Sequence, residues 1–123
     1  YIEEGRAFGP HGKDLVIANS IINYDDDLSR ELTELTIDAN MEVRRLGFKP
    51  YIAPAISSGA ISLLLTLQGR WHYSSVYIGN SSGAFLGIKN RIRLGAAETE
   101  DLPLPQTLYD RIKRAYDNLT RLI

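Results

Sequence analysis

The sequence predicts an α+β domain with long helices packed on a twisted antiparallel sheet. Three observations carry that prediction. Apolar residues recur at helical spacing from Leu28 to Leu46; residues 50–69 form an uncharged stretch between Lys49 and Arg70; and two β-rich runs, 71–78 and 86–94, flank a polar turn.

At the N-terminal end, residues 1–8 alternate loosely, with Ile2 and Phe8 on one parity that also holds Glu4 and Arg6, and read as a strand. A turn-rich break follows at Gly9-Pro10-His11-Gly12-Lys13-Asp14. The short apolar run Leu15 to Ala18 is then a buried strand, in hairpin pairing with the first. Asn23 to Asp27 is a polar loop, and Asp26 or Asp27 serves as N-cap of the next helix, its carboxylate accepting from free backbone N–H groups. Leu28, Leu32, Leu35, Ala39, Val43 and Leu46 make one apolar stripe along that helix. Arg44 and Arg45 complement its dipole and Gly47 closes it.

The uncharged stretch contains a helix over about 54–68, with Pro54 in its first turn and Gly69 as its stop. Ile52, Ile56, Leu63, Leu64, Leu65 and Leu67 spread apolar surface around most of its circumference, the pattern of a core helix covered on several sides. A narrow face of small residues, Ser58, Ser62 and Thr66 with Ala55 and Gly59 nearby, allows close approach of another backbone. A membrane span is the competing reading, but roughly 15 helical residues reach about 22 Å against a hydrocarbon core of about 30 Å, and serines interrupt them.

Trp71 to Ile78 is aromatic and β-branched, Asn80 to Gly83 turns the chain, and Leu86, Ile88, Ile92 and Leu94 alternate with Lys89, Arg91 and Arg93. The two runs make an antiparallel meander with one buried and one basic face. Gly95 to Pro105 is a connector. Leu104, Leu108, Ile112, Ala115, Leu119 and Leu122 then form the stripe of a final helix, on which Asp110 with Arg114 and Asp117 with Arg121 are spaced as i, i+4 pairs.

The 123 residues suffice for a single domain with one core. A formal net charge of −1 draws the chain toward neither nucleic acid nor an anionic membrane. With no cysteine, disulfides, thiolate metal sites and a cysteine nucleophile are excluded, a composition that fits a reducing, cytoplasmic compartment. The first residue is Tyr1 rather than methionine, which reads as a piece of a longer chain.

His11 is the candidate catalytic residue: a glycine-bracketed loop between two strands can present an imidazole whose ordinary pKa, near 6.5, suits proton transfer at neutral pH. The plainer alternative is a solvated turn histidine. His72 stands alone in sequence and no metal set surrounds either histidine. Lys89, Arg91 and Arg93 offer an anion-binding face, for which a solvated strand face is the simpler account. Asp25 to Asp27 lack the spacing of a calcium loop and read as helix capping. No glycine-rich phosphate cradle is present.

Taken in order, Phe8-Gly9-Pro10-His11-Gly12, the helix Leu28 to Leu46, the connector Gly47 to Pro50, the helix ending Leu67-Gln68-Gly69, the strand Val76-Tyr77-Ile78-Gly79 and the strand Phe85 to Asn90 resemble the C-terminal, substrate-binding domain of the NAD-dependent lactate/malate dehydrogenase family. The resemblance spans almost the whole chain and implies a malate/lactate-type oxidoreductase in the full-length protein, acting on a small 2-hydroxy or 2-keto acid. His11 then matches the family's general acid/base, and Lys49, Tyr51 and Ile52 contribute to substrate binding. NAD or NADP is held mainly by an N-terminal Rossmann domain that the sequence lacks, so this piece alone is expected to be inactive. The resemblance also implies a homo-oligomer. Pro10 and Lys13 depart from the family, which has acidic residues at those two places. A different class of function, a noncatalytic assembly module, would use the Ser58, Ser62 and Thr66 face to pack against a copy or a partner.

Overall fold

The computed structural model describes residues 3–49 and 53–122, and side chains from 56 onward in the second segment. Strands β1 (Arg6–Phe8) and β2 (Val16–Ala18) pair antiparallel, Phe8 opposite Val16. Helices α1 (Asp26–Arg45) and α2 (Ala53–Leu67) follow. Strands β3 (His72–Ile78), β4 (Ala84–Arg93) and β5 (Ala96–Thr99) form a three-stranded antiparallel meander in that order, and α3 (Gln106–Thr120) ends the chain. The α+β prediction holds, with the small hairpin laid beside β4: the Gly9 amide donates to the Gly87 carbonyl at 2.9 Å. A Cβ on Gly87 would stand 2.6 Å from the Gly9 carbonyl oxygen, which explains glycine at that crossing.

The core is compact and mixed in character. Phe8, Val16, Ala18 and Leu108 form its buried apolar cluster, with Ile88, Leu104 and Ile112 packed against it. Around it lie buried polar residues, Arg6, Ser20, Ser29, Thr33, His72, Asn90 and Arg111, and no buried side-chain polar atom among the described residues lacks a partner. Arg6 shares the inward parity of Phe8 because its guanidinium grips Glu100 twice, at 2.6 and 2.9 Å, and caps the carbonyls of Glu3 and Gly5. A buried cation so paired costs far less than a lone one.

Several sequence expectations are revised. The N-cap of α1 is Asp25, whose Oδ1 accepts from the Leu28 amide at 2.9 Å. The face of α1 turned inward is Ser29 and Thr33, not the leucine stripe: Leu28, Leu35 and Leu46 are exposed. Polar contacts decide this, since the Ser29 hydroxyl donates to the Ile17 carbonyl at 2.5 Å and the Ile17 amide donates to Thr33 Oγ1 at 3.0 Å, docking the helix on β2. The expected core helix α2 is likewise on the surface, and none of its described side chains is buried. Part of its small-residue face lies against β3 of the same chain, through Thr66 with His72 and Ser62 with the Tyr73 carbonyl, while Ser58 and Gly59 stay exposed. The last strand, β5, falls inside the expected connector. Within α3 the ion pair among the described residues is Lys113 with Asp117 at 2.5 Å, rather than the two pairs read from spacing.

No described helix is long and apolar enough to cross a membrane.

Candidate functional site

The turn that carries His11 is fixed at both ends. Gly9 has φ +96°, and any Cβ there would meet the Asp14 carbonyl oxygen at 2.7 Å, so only glycine turns the chain this tightly. The Leu15 amide donates to the Gly12 carbonyl at 3.0 Å, and Asp14 accepts from Asn118 of α3 at 3.3 Å. Between these anchors His11 is exposed, and it stands on the rim of a groove of about 550 Å³ between the β-hairpin and α1. Leu15 and Ile17 line one wall, Ile37 and Val43 the other, and Asn40 supplies an amide. The groove is therefore largely apolar, with one imidazole at its mouth. Such a site can seat a small organic molecule and exchange a proton with it.

Of the other sequence-predicted site residues, Lys49 is exposed beyond the end of α1. The groove takes its α1 residues from Thr36 to Val43 and does not include it. Tyr51 and Ile52 lie outside the described residues. Every ion pair among the described residues is made by arginine or lysine, so no carboxylate pairs with His11. No group of three or more metal-ligating side chains occurs among the described residues.

Two residues of the basic strand face are committed elsewhere, while Arg93 is exposed. Lys89 pairs with Glu100 at 3.3 Å, and Arg91 pairs with Glu98 at 2.7 Å while stacking on Trp71 at 4.4 Å. Burial alone would raise the Glu100 carboxyl, but hydrogen bonds from Arg6 and Lys89 outweigh it and hold that carboxyl below the usual glutamate range.

His72, set aside in sequence as solitary, is buried. Its Nδ1 lies 3.0 Å from the Arg70 carbonyl, which can only accept, so Nδ1 carries a proton. Nε2 faces Thr66 Oγ1 at 2.9 Å and Ser74 Oγ at 3.3 Å, and the Asn90 amide donates to Ser74 Oγ at 2.8 Å. The imidazole thus pins β3 to α2 and β4. The available signal was the pair Ser62 and Thr66, whose spacing puts small polar groups on the helix face that receives it.

The N-terminus of α1 does not suit the dinucleotide implied by the resemblance: it is crowded by Asp25, Asp26 and Asp27, which repel a diphosphate.

No family model matches the sequence, and no curated protein matches it. A solved structure does: malate dehydrogenase from Archaeoglobus fulgidus in complex with NADH, with a TM-score of 0.70 at 17% sequence identity. The match covers 97% of this chain and 42% of that one, so the chain spans about two fifths of the enzyme it resembles. At that identity the likeness is one of fold. The chain has the fold of one part of a malate dehydrogenase, as the glycine-histidine-glycine turn and the order of its elements suggested.

Proposed function

We propose that this chain is the substrate-binding part of an NAD(P)-dependent 2-hydroxy acid dehydrogenase of malate or lactate type, with His11 as general acid/base. The observation that carries this reading is His11 itself: a glycine-anchored turn holds it over an apolar groove in a fold shared with a malate dehydrogenase. Oxidation of a hydroxy acid requires removal of the hydroxyl proton as hydride leaves carbon, and a positioned imidazole nitrogen is a base that can take that proton. The proton half of the reaction is the half this chain performs. The reverse reaction returns the proton from the imidazolium to the carbonyl oxygen.

The hydride acceptor, NAD or NADP, is supplied in this reading by a nucleotide-binding domain outside this chain. That domain also supplies the carboxylate that orients His11 and the cation that clamps the substrate carboxylate. The exposed apolar surface of α2 is the natural place for such a domain, or a second subunit, to rest.

The test is turnover of malate and lactate by the full-length protein carrying His11→Asn. Loss of roughly 10²-fold or more in kcat, with an unchanged folding transition, is expected. Unchanged turnover returns His11 to the role of a solvated turn residue.

A further inference from the structure

Arg111 is a cation buried without a carboxylate in hydrogen-bond reach. Its side chain is 7% exposed, and its one ion pair among the described residues, with Asp26, spans 3.6 Å. Nη1 donates to Tyr24 Oη at 2.9 Å and to Ser29 Oγ at 2.7 Å, while Nη2 donates to Thr33 Oγ1 at 3.2 Å. All three acceptors are neutral hydroxyls. The Asp26 carboxylate is shared, because it also accepts from Tyr24 and from Arg30, each at 2.7 Å.

That leaves one edge of the guanidinium, Nε with the second Nη2 hydrogen, without a partner among the described residues. Since no fully enclosed polar atom there is unsatisfied, Nε is not fully enclosed, and Arg111 lines a cavity of about 200 Å³ between α1, α3 and the segment 13–16. Lys13, Arg30 and Arg114 line it as well, against only two carboxylates, Asp14 and Glu34. Asp14 is partly engaged by Asn118. Lys13 and Arg114 are exposed and form no ion pair among the described residues. A buried cation with incomplete compensation is costly, and the Nε/Nη2 edge is the geometry that takes two oxygens of one anion.

We propose that this cavity binds a phosphate dianion, free or on a small phosphomonoester, seated on the Nε/Nη2 edge of Arg111 and gathered by Lys13 and Arg114, and that its occupation is felt at His11. The coupling follows from placement. Lys13 lies two residues beyond His11 in the same glycine-anchored turn, and Leu15 and Ile37 line both this cavity and the His11 groove. Drawing the Lys13 ammonium inward pulls on the turn that sets the imidazole. The binding half is independent of the dehydrogenase reading, and the coupling is read at the imidazole itself rather than through turnover.

The experiment titrates inorganic phosphate, and in a second arm phenyl phosphate, into the full chain at constant ionic strength and at a pH where phosphate is the dianion. It follows the arginine Nε–H, backbone amide and His11 ring resonances by NMR. Saturable binding is expected, with the Arg111 Nε–H moving most and the His11 ring moving with the same Kd. Tighter binding of the ester identifies a phosphomonoester as the ligand class; equal or weaker binding identifies free phosphate. Lys13→Glu and Arg114→Glu, both at exposed positions that leave the core untouched, should each weaken binding roughly tenfold or more, as expected for one lost charged contact. A non-saturating response, or one of equal size in the K13E/R114E double variant, overturns the site. Saturation with an unmoved His11 ring overturns the coupling.

Discussion

Helices α2 and α3 are each 15 residues long, and they meet the rest of the chain in opposite ways. From α3, Leu108 is fully buried and Ala115 nearly so, Arg111 enters a network of hydroxyls, and the Tyr116 hydroxyl donates to the Ile78 carbonyl at 2.8 Å. Of its other charged residues, Asp110, Lys113 and Arg114 are exposed on the outer face. From α2, the inward residues are Ser62, Leu65 and Thr66, while Ile56 and Leu67 stand 71% and 86% exposed. The more apolar helix is the less buried one. The comparison teaches that hydrophobicity records how much cover a segment needs, without saying which chain supplies it. Helix α3 is covered by its own domain; α2 leaves its apolar surface open among the described residues.

Four variants test that contrast. The largest expected effect is at Leu108→Ala, which opens a cavity in the small apolar cluster and should cost about 2–5 kcal/mol in urea unfolding. A loss below about 1 kcal/mol would mean that α3 is no better anchored than α2. Next is Glu100→Gln, which strips the Arg6 guanidinium of its charged partner and should cost about 1–3 kcal/mol near neutral pH. The sign with pH is fixed by the lowered Glu100 carboxyl. Its stabilisation is complete above the ordinary glutamate value and is lost as acidification carries the pH through the lower folded value. Wild type should therefore lose more stability on acidification than Glu100→Gln, and parallel acid titrations of the two would remove the ion pair from the account.

A smaller effect is expected at Thr66→Val, which keeps the side-chain shape but removes the contacts to His72 and the Ser62 carbonyl. A cost of about 1 kcal/mol would show that α2 is held by its small polar face. The smallest is Leu63→Ser with Leu67→Ser. Both side chains are exposed, so unfolding of this chain should shift by no more than about 0.5 kcal/mol. The same pair in the full-length protein should weaken association with whatever rests on α2, read by sedimentation. A large loss of stability in the isolated chain would contradict the exposed position of α2.

Element types were legible in the sequence because periodicity and turn residues are local. Both helix-ending glycines, Gly47 and Gly69, adopt the left-handed conformation that their positions suggested, with φ +84° and +64°. The hairpin and the meander pair as their alternation implied. Burial was less legible. The α1 leucines read as core, yet Ser29 and Thr33 won that face because β2 offers backbone groups that only hydroxyls can satisfy. Strand β5 was hidden by a tight turn in which Leu94 has φ +52°, a conformation that leucine gives no reason to expect. At the candidate site, His11 stood out through its flanking glycines. Arg111 did not, because nothing in a helical i, i+4 pattern distinguishes an arginine on the wet face from one whose guanidinium is turned in toward three hydroxyls.

The mixed interior has a thermal corollary. Apolar surface exposed on unfolding raises the heat capacity and polar surface lowers it, and here arginines, serines, a histidine and an asparagine share the interior with a handful of aliphatic residues. The heat-capacity increment per residue should fall below that of an ordinary aliphatic core. The unfolding enthalpy then drifts little with temperature, and the domain keeps a shallow, broad stability curve rather than a sharply domed one.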